Sequence, residues 1–292
     1  MKITHFANVI GDQDGAIYGN LLFRISAKGR CKVYDLDGAL DGEDVKSIEY
    51  SSIFTLDRAD EIVPHSNAVV FGKEKYDEAD EFPLLYSNIY NNYAKSDDKM
   101  CATLCVYRIR RTEDGFGSTL VGIINVGFTD ECGYWRSEEG VADVRPYGNF
   151  VIDTADDKLY AFVMRDGDRT TRYFEFKLPS LADATDERLG VKSITLTKSD
   201  VIRYFDVPYH RYIQGACFKN GMVYSVEGFG ERVHPVLRII DVLAEKQVLC
   251  RDLFEMGIVG EAEFIDFLGD VCIYGDASGH LYRVELDDDE IG

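Results

Sequence analysis

Apolar residues along this chain come in short runs, each ended by Gly, Asp or Asn, with almost no helical spacing. The segments AIYGNLLFRISAKGRCKVYDL, KLYAFVMRDGDRTTRYFEFKL and DVCIYGDASGHLYRVEL each read as strand, tight turn, strand. Such runs predict hairpins and therefore antiparallel sheet. One helix start is predicted, at Ser199-Asp200 before VIRYF, and one turn at Leu253–Met256.

The hairpins repeat. The first copy opens at Asp14-Gly15-Ala16-Ile17 and spans 14–57. The second opens at His65-Ser66-Asn67-Ala68 and spans 64–127. The third opens at Tyr147-Gly148-Asn149-Phe150 and spans 145–200, with Ser193–Leu196 as its fourth strand. The fourth opens at Gln214-Gly215-Ala216-Cys217 and spans 213–256. The fifth opens at Glu261-Ala262-Glu263-Phe264, spans 261–287 and holds three strands, with 3–9 supplying the missing one. Blades of kelch and WD40 type repeat every roughly 40–50 residues, with four antiparallel strands each. The expectation is one all-β domain, a β-propeller of five blades, with six blades or a β-sandwich as the alternatives. A long connection, 127–145, carries Trp135 and Tyr134; loops of this length often serve function.

Composition sharpens this picture. The 18 Tyr and 17 Phe suit strands. A net charge of −20 leaves no basic footprint, and the densest run is only Arg108, Arg110 and Arg111. Nucleic acid and anionic membrane surfaces are therefore excluded as expected partners, while cationic ligands are favoured. The seven cysteines are odd in number and dispersed, mostly within apolar runs, so they read as small buried residues rather than a disulfide framework. Cys101 and Cys105 have no second pair to complete a zinc site. The first residues lack the apolar stretch of a signal peptide, and no run has the length of a membrane span, so the cytoplasm is the expected location.

In a propeller the innermost strand of each blade lines the central channel, so the residues that open each copy converge. Here they are polar: Asp14, His65, Asn67, Asn149, Gln214, Glu261 and Glu263, with Trp135 and Tyr147 as stacking groups. A buried polar group without a partner costs about 1–3 kcal/mol, so these must bond to one another, to water or to a ligand. They are read either as a hydrated rim that positions the blades or as a site for a small polar ligand or a protein partner. Glu261 and Glu263, two apart on a strand, are expected to share a face. They are candidates for acid/base work through a raised pKa, or, with Asp14, for holding calcium. No nucleophile elbow, P-loop or G-x-G-x-x-G after a strand is present.

The fourth copy carries a resemblance. Gln214-Gly215-Ala216-Cys217-Phe218, Gly221-Met222-Val223-Tyr224-Ser225-Val226-Glu227-Gly228 and Leu237-Arg238-Ile239-Ile240-Asp241-Val242 resemble the repeat of plant- and bacterial-type glutaminyl cyclases. Those five-bladed propellers cyclise N-terminal glutamine with loss of ammonia. In that family a Gly-Glu-Gly stretch opens the next blade and its Glu is the acid/base. Gly260-Glu261-Ala262 stands at a similar interval, so the resemblance implies that role for Glu261. The family's Asn-Glu-Leu-Glu blade opening is not found. The chain as a whole resembles bacterial five-bladed propeller proteins with no assigned reaction. The expected function is ligand or partner binding at the channel. The alternative is an enzyme of acyl-transfer, lyase or glycoside-hydrolase type, with Glu261 as general acid/base and Gln214 and Asn149 orienting the substrate.

Overall fold

Two-residue turns with left-handed backbone set the hairpins. Asn220 and Gly221 (φ 52° and 79°) join Ile213–Lys219 to Met222–Phe229, with Lys219 opposite Met222. This is the type I′ pattern, whose twist matches that of the strands it joins. The computed structural model describes residues 1–62, 64–89, 100, 102–126, 149–165 and 169–287, with the backbone alone at 135–136 and 142–143.

The hairpins build a five-bladed β-propeller. Blade 1 is Gly15–Tyr18, Leu21–Ile25, Arg30–Asp35 and Ser52–Thr55, from the channel outward. Blade 2 is Val69–Phe71, Leu85–Asn88, Thr103–Thr112 and Gly115–Val126. Blade 3 is Asn149–Asp153, Lys158–Arg165, Thr170–Lys177 and Arg203–Pro208. Blade 4 is Ile213–Lys219, Met222–Phe229, Val233–Asp241 and Lys246–Asp252. Blade 5 is Ala262–Leu268, Val271–Asp276 and His280–Glu285, completed by Lys2–Asn8. That closing strand runs antiparallel to His280–Glu285, from Lys2 opposite Glu285 to Asn8 opposite His280. It also takes up Lys46–Ser47 in parallel on its outer side.

Two expectations fail here. Val191–Leu196 does not belong to blade 3; it runs parallel to Gly115–Val126 on the outer edge of blade 2, with Asp186–Arg188 beyond it. Nor does Ser199 start a helix. The Thr197 N–H donates to Asp200 Oδ2 at 2.7 Å, which caps a single 3-10 turn, Lys198–Asp200. The cap signal is real, but the residues after it have period two. Phe205 and Val207 are buried while Tyr204, Asp206 and Pro208 are exposed, so Arg203–Pro208 is the outer strand of blade 3. The turn expected at Leu253–Met256 is a 3-10 turn, Phe254–Met256. Within the long connection, Trp135–Arg136 pairs with Ala142–Asp143. Tyr147 and the side chain of Trp135 lie outside the described residues.

Among the described residues the buried apolar side chains form five clusters, one at each blade interface. Phe23 and Val33 meet Phe71 and Phe116 between blades 1 and 2. Leu104 and Ile124 meet Phe150 and Phe174 between blades 2 and 3. Phe162 and Phe205 meet Val223 and Ile240 between blades 3 and 4. Val226 and Ile239 meet Ile265 and Tyr274 between blades 4 and 5. Phe264 and Ile273 meet Leu22 and Tyr34 between blades 5 and 1. The apolar seams thus lie between blades, which leaves polar side chains to meet at the axis. No helix among the described residues is long and apolar enough to cross a membrane.

Candidate functional site

Straps of hydrogen bonds link neighbouring blades at the N-terminal ends of the innermost strands. Asp14 Oδ2 of blade 1 accepts from Val69 N of blade 2 at 2.8 Å. Asn88 Nδ2 of blade 2 donates to Asn149 Oδ1 of blade 3 at 3.2 Å. Asn67 Nδ2 reaches past blade 3 to the Ile213 carbonyl of blade 4, at 2.6 Å. Gln214 Nε2 of blade 4 donates to Glu261 Oε1 of blade 5, also at 2.6 Å. Gln13 Nε2 donates to Glu263 Oε1 at 3.1 Å and so joins blade 1 to blade 5. These links place Asp14, His65, Asn67, Asn149, Gln214, Glu261 and Glu263 around one mouth of the channel.

Two of the site residues owe their aim to β-bulges. Ile213 pairs with Glu227 and Gly215 with Val226, so Gln214 is an extra residue in its strand. Ala262 pairs with Asp276 and Phe264 with Gly275, so Glu263 is extra in the same position of the next blade. A bulge redirects a side chain and breaks the two-residue alternation. The expectation that Glu261 and Glu263 share one strand face is thereby corrected. Glu261 turns to blade 4 and Gln214, whereas Glu263 turns to blade 1 and Gln13. Gly215 makes this close fit possible: a Cβ there would stand 2.9 Å from the Glu263 carbonyl and 3.2 Å from Asp14 Oδ1.

The mouth divides into two halves. On one side Asn88 bonds to both Asn67 and Asn149. Asn88 Oδ1 accepts from the backbone of Asn67 and Ala68 at 2.9 and 3.0 Å, and Asn88 Nδ2 donates to Asn67 Oδ1 at 2.7 Å. Beside them the hydroxyls of Ser66 and Ser87 bond to each other. Asn67 and Asn149 are buried and employed in holding blades together.

On the other side lie Asp14, Glu261 and Glu263 with Arg24, which sequence reasoning missed. Arg24 is fully buried. Its Nη2 donates to the Asp12 carbonyl at 2.6 Å, and its guanidinium lies 5.2 Å from the centre of the Phe264 ring. Gly275 gives it room, since a Cβ there would lie 2.6 Å from Nη1. Four buried atoms in this half have no hydrogen-bond partner: Arg24 Nε and Nη1, Asp14 Oδ1 and Glu263 Oε2. Burial pushes the Asp14 carboxyl well up, against the pull of Arg24. Burial also pushes Glu263 well up, and the nearby Glu261 charge adds to it. Glu261 is half-buried and raised by that burial, with the Gln214 amide working in the opposite direction. Behind Arg24, Lys32 is paired with Asp12.

His65 holds a left-handed backbone (φ 37°), uncommon for a residue with a Cβ. Its Nε2 lies 2.9 Å from Gln13 Oε1. Because the Gln13 NH2 group is given to Glu263, its oxygen must accept, so His65 carries its proton on Nε2. Sequence reasoning missed Gln13, Arg24 and Asn88. The traceable signal was an arginine between Phe23 and Ile25 in a strand otherwise apolar.

Calcium does not fit this mouth. Among the described residues no group of three or more His, Cys, Asp or Glu side chains is placed to hold a metal ion. Asp14, Glu261 and Glu263 point to different partners, and a guanidinium stands among them. A second cation within metal–ligand reach of Arg24 would meet its charge in a low-dielectric setting.

No model of a known protein family matches the chain, and no curated protein does. Solved structures do. Glutaminyl cyclase from Myxococcus xanthus matches at 11% identity over 98% of this chain and 95% of that one, with a TM-score of 0.49. A luciferin-regenerating enzyme matches at 10% identity over 98% and 96%, with a TM-score of 0.45. BamB from Moraxella catarrhalis matches at 10% identity over 94% and 69%, with a TM-score of 0.34. These matches are likenesses in structure alone, and the roles of this chain's side chains rest on their own geometry.

Proposed function

We propose that this propeller binds a small polar ligand at the channel mouth where Gln214, Glu261 and Glu263 meet. The observation that carries this reading is the pair of β-bulges at equivalent positions of blades 4 and 5. They aim Gln214 and Glu263 at the mouth on either side of the half-buried Glu261. Ligand-binding groups held on rigid strands rather than loops are precise, and a ring of five packed blades is such a support. The partner is a small molecule rather than nucleic acid or membrane, as the charge of −20 favours. A cytoplasmic location is supported by free cysteines at 31, 105, 217, 250 and 272.

Thermal melting with sugars, amino-acid amides and small amines tests this. A ligand at about 100 times its Kd stabilises by about 2.7 kcal/mol. The double variant Gln214→Ala/Glu261→Ala should fold and lose that shift. A shift that survives both changes would place binding elsewhere. An absence of any shift would favour a protein partner, to be sought by pull-down.

A second reading is favoured by one contact. Gln214 orients the Glu261 carboxyl at 2.6 Å while burial raises its pKa, an arrangement suited to a general acid/base in acyl-transfer or lyase chemistry. If a reaction is found, its pH–rate profile should lose one limb in Glu261→Gln. Unchanged kinetics in that variant would remove Glu261 from the chemistry.

A further inference from the structure

Resting on the reading of the mouth as a binding site, we propose that its ligand is a neutral aromatic compound. Its polar head meets Gln214 and Glu261, and its ring packs on an apolar rim made by Tyr212, Phe229 and Val259. A third β-bulge sets that rim. In blade 4, His234 and Pro235 together stand opposite Gly228, between the pairs Glu227–Val236 and Phe229–Val233. The bulge crowds Gly228, where a Cβ would lie 2.3 Å from the His234 carbonyl, and its φ of 114° suits glycine alone. Glu227 and Gly228 are buried; at Phe229 the chain leaves the core, and that side chain is 51% exposed.

The same glycine ties the rim to the polar pair. The Gly228 N–H donates to the Tyr212 carbonyl at 2.8 Å, and the Gly228 carbonyl accepts from Gln214 Nε2 at 3.5 Å. The Tyr212 and Phe229 rings stand 6.0 Å apart. Beside them runs the connection into blade 5, since a Cβ on Gly230 would lie 3.8 Å from the Val259 carbonyl. Val259 is 59% exposed and stands two residues before Glu261. Two rings and a branched aliphatic side chain therefore border the carboxyl that Gln214 holds.

Scattered exposed apolar residues need no explanation, but a group continuous with a polar site does. Binding sites for small molecules combine apolar walls with a few placed polar groups, which is the composition here. A protein interface takes about 20–30 residues a side and keeps charge out of its centre. This rim is three residues wide, and Arg211, Glu231 and Arg232 are exposed next to it in sequence. Aromatic rings favour one another beyond the area they bury, so Phe229 and Tyr212 select a ring over a saturated group. Gln214 Nε2 is committed to Glu261 Oε1 and the Gly228 carbonyl, so the pair presents Gln214 Oε1 and Glu261 Oε2 to the head. A neutral N–H or O–H suits either oxygen and adds no charge beside Arg24.

The test titrates the full chain with 2-phenylacetamide and its saturated counterpart 2-cyclohexylacetamide, by NMR and calorimetry. The aromatic amide should bind about threefold tighter or more. Phe229→Leu should remove that preference, and Phe229→Ala should weaken the aromatic amide about tenfold, with both folds verified by melting. Equal affinity for the two amides, or undiminished binding of the aromatic one to Phe229→Ala, overturns the inference. So does failure of both amides to bind; if sugars or amines then bind in a Glu261-dependent way, the mouth remains a binding site for another class. Should 2-phenylacetamide bind undiminished to Gln214→Ala/Glu261→Ala, the polar pair takes no part and both readings fall.

Discussion

The two halves of the channel mouth are both buried and both polar, yet they differ in how their hydrogen bonds close. In the asparagine half, Asn88 alone satisfies two backbone donors and two side-chain oxygens. In the carboxylate half, four buried atoms await partners. A closed network fixes structure, whereas an open one has capacity left for something that arrives. The polarity of a channel lining therefore says less about function than whether its bonds are already used.

The largest effect that sharpens this contrast belongs to Asn88→Ala. It strands several buried groups at about 1–3 kcal/mol each, partly relieved by water, for a loss of about 4 kcal/mol. Chemical denaturation should read it directly. A loss under about 1 kcal/mol would mean that the asparagine half is not what locks blades 2, 3 and 4 together.

Next comes a carboxylate that belongs to the closed class despite its charge. Asp266 Oδ2 accepts from Ile17 N at 2.6 Å and straps blade 5 to blade 1. Burial raises its pKa from 3.8 to about 6. The folded state thus holds the proton more tightly than the unfolded chain does. Stability is greatest below the unfolded pKa and falls as pH rises toward the folded one. The drop should be about 2–3 kcal/mol between about pH 4 and about pH 6, at about 1.4 kcal/mol per unit. Asp266→Asn should flatten that stretch of a melting-versus-pH curve. An unchanged slope would assign the titration to another group.

The smallest expected effect has the opposite sign to the first. Glu263→Gln keeps an oxygen for Gln13 and removes a buried carboxylate whose second oxygen is unpartnered. Burial raises the folded pKa of Glu263, so its ionised form costs stability once pH exceeds the unfolded value. Glutamine does not titrate. The variant should gain stability once pH exceeds the unfolded value, and the gain should vanish in acid. Binding should weaken at the same time, the trade expected where a site is kept at the expense of stability. A loss of stability would move Glu263 into the structural half.

Much of this architecture is legible in the sequence. Hairpin punctuation and the recurring openings at Asp14, Asn67, Asn149, Gln214 and Glu261 fix the blades and the axis, because propeller geometry brings strand starts together. What escapes is whatever depends on non-local pairing. Val191–Leu196 looks like any other strand, and only its partner, Gly115–Val126, assigns it to blade 2. Bulges at Gln214 and Glu263 are register events between two strands, so alternation within one strand cannot reveal them. Arg24 hides because a single charged residue in an apolar run normally marks the solvent face, whereas Gly275 here admits it to the interior. Asn88 escapes since it ends a second strand, away from the blade openings.

The pairing of Lys2–Asn8 with His280–Glu285 joins the earliest and latest strands of the ring. During synthesis, a chain with four blades assembled still lacks His280–Glu285, the main partner of its first strand, and has an open seam where blade 5 will stand. Pairing across so long a separation is slow, and exposed strand edges invite neighbouring chains. Ribosomes translating one message in close succession would hold several such edges near one another. The interval before the ring shuts is therefore when this protein is most exposed to swapping strands with its siblings.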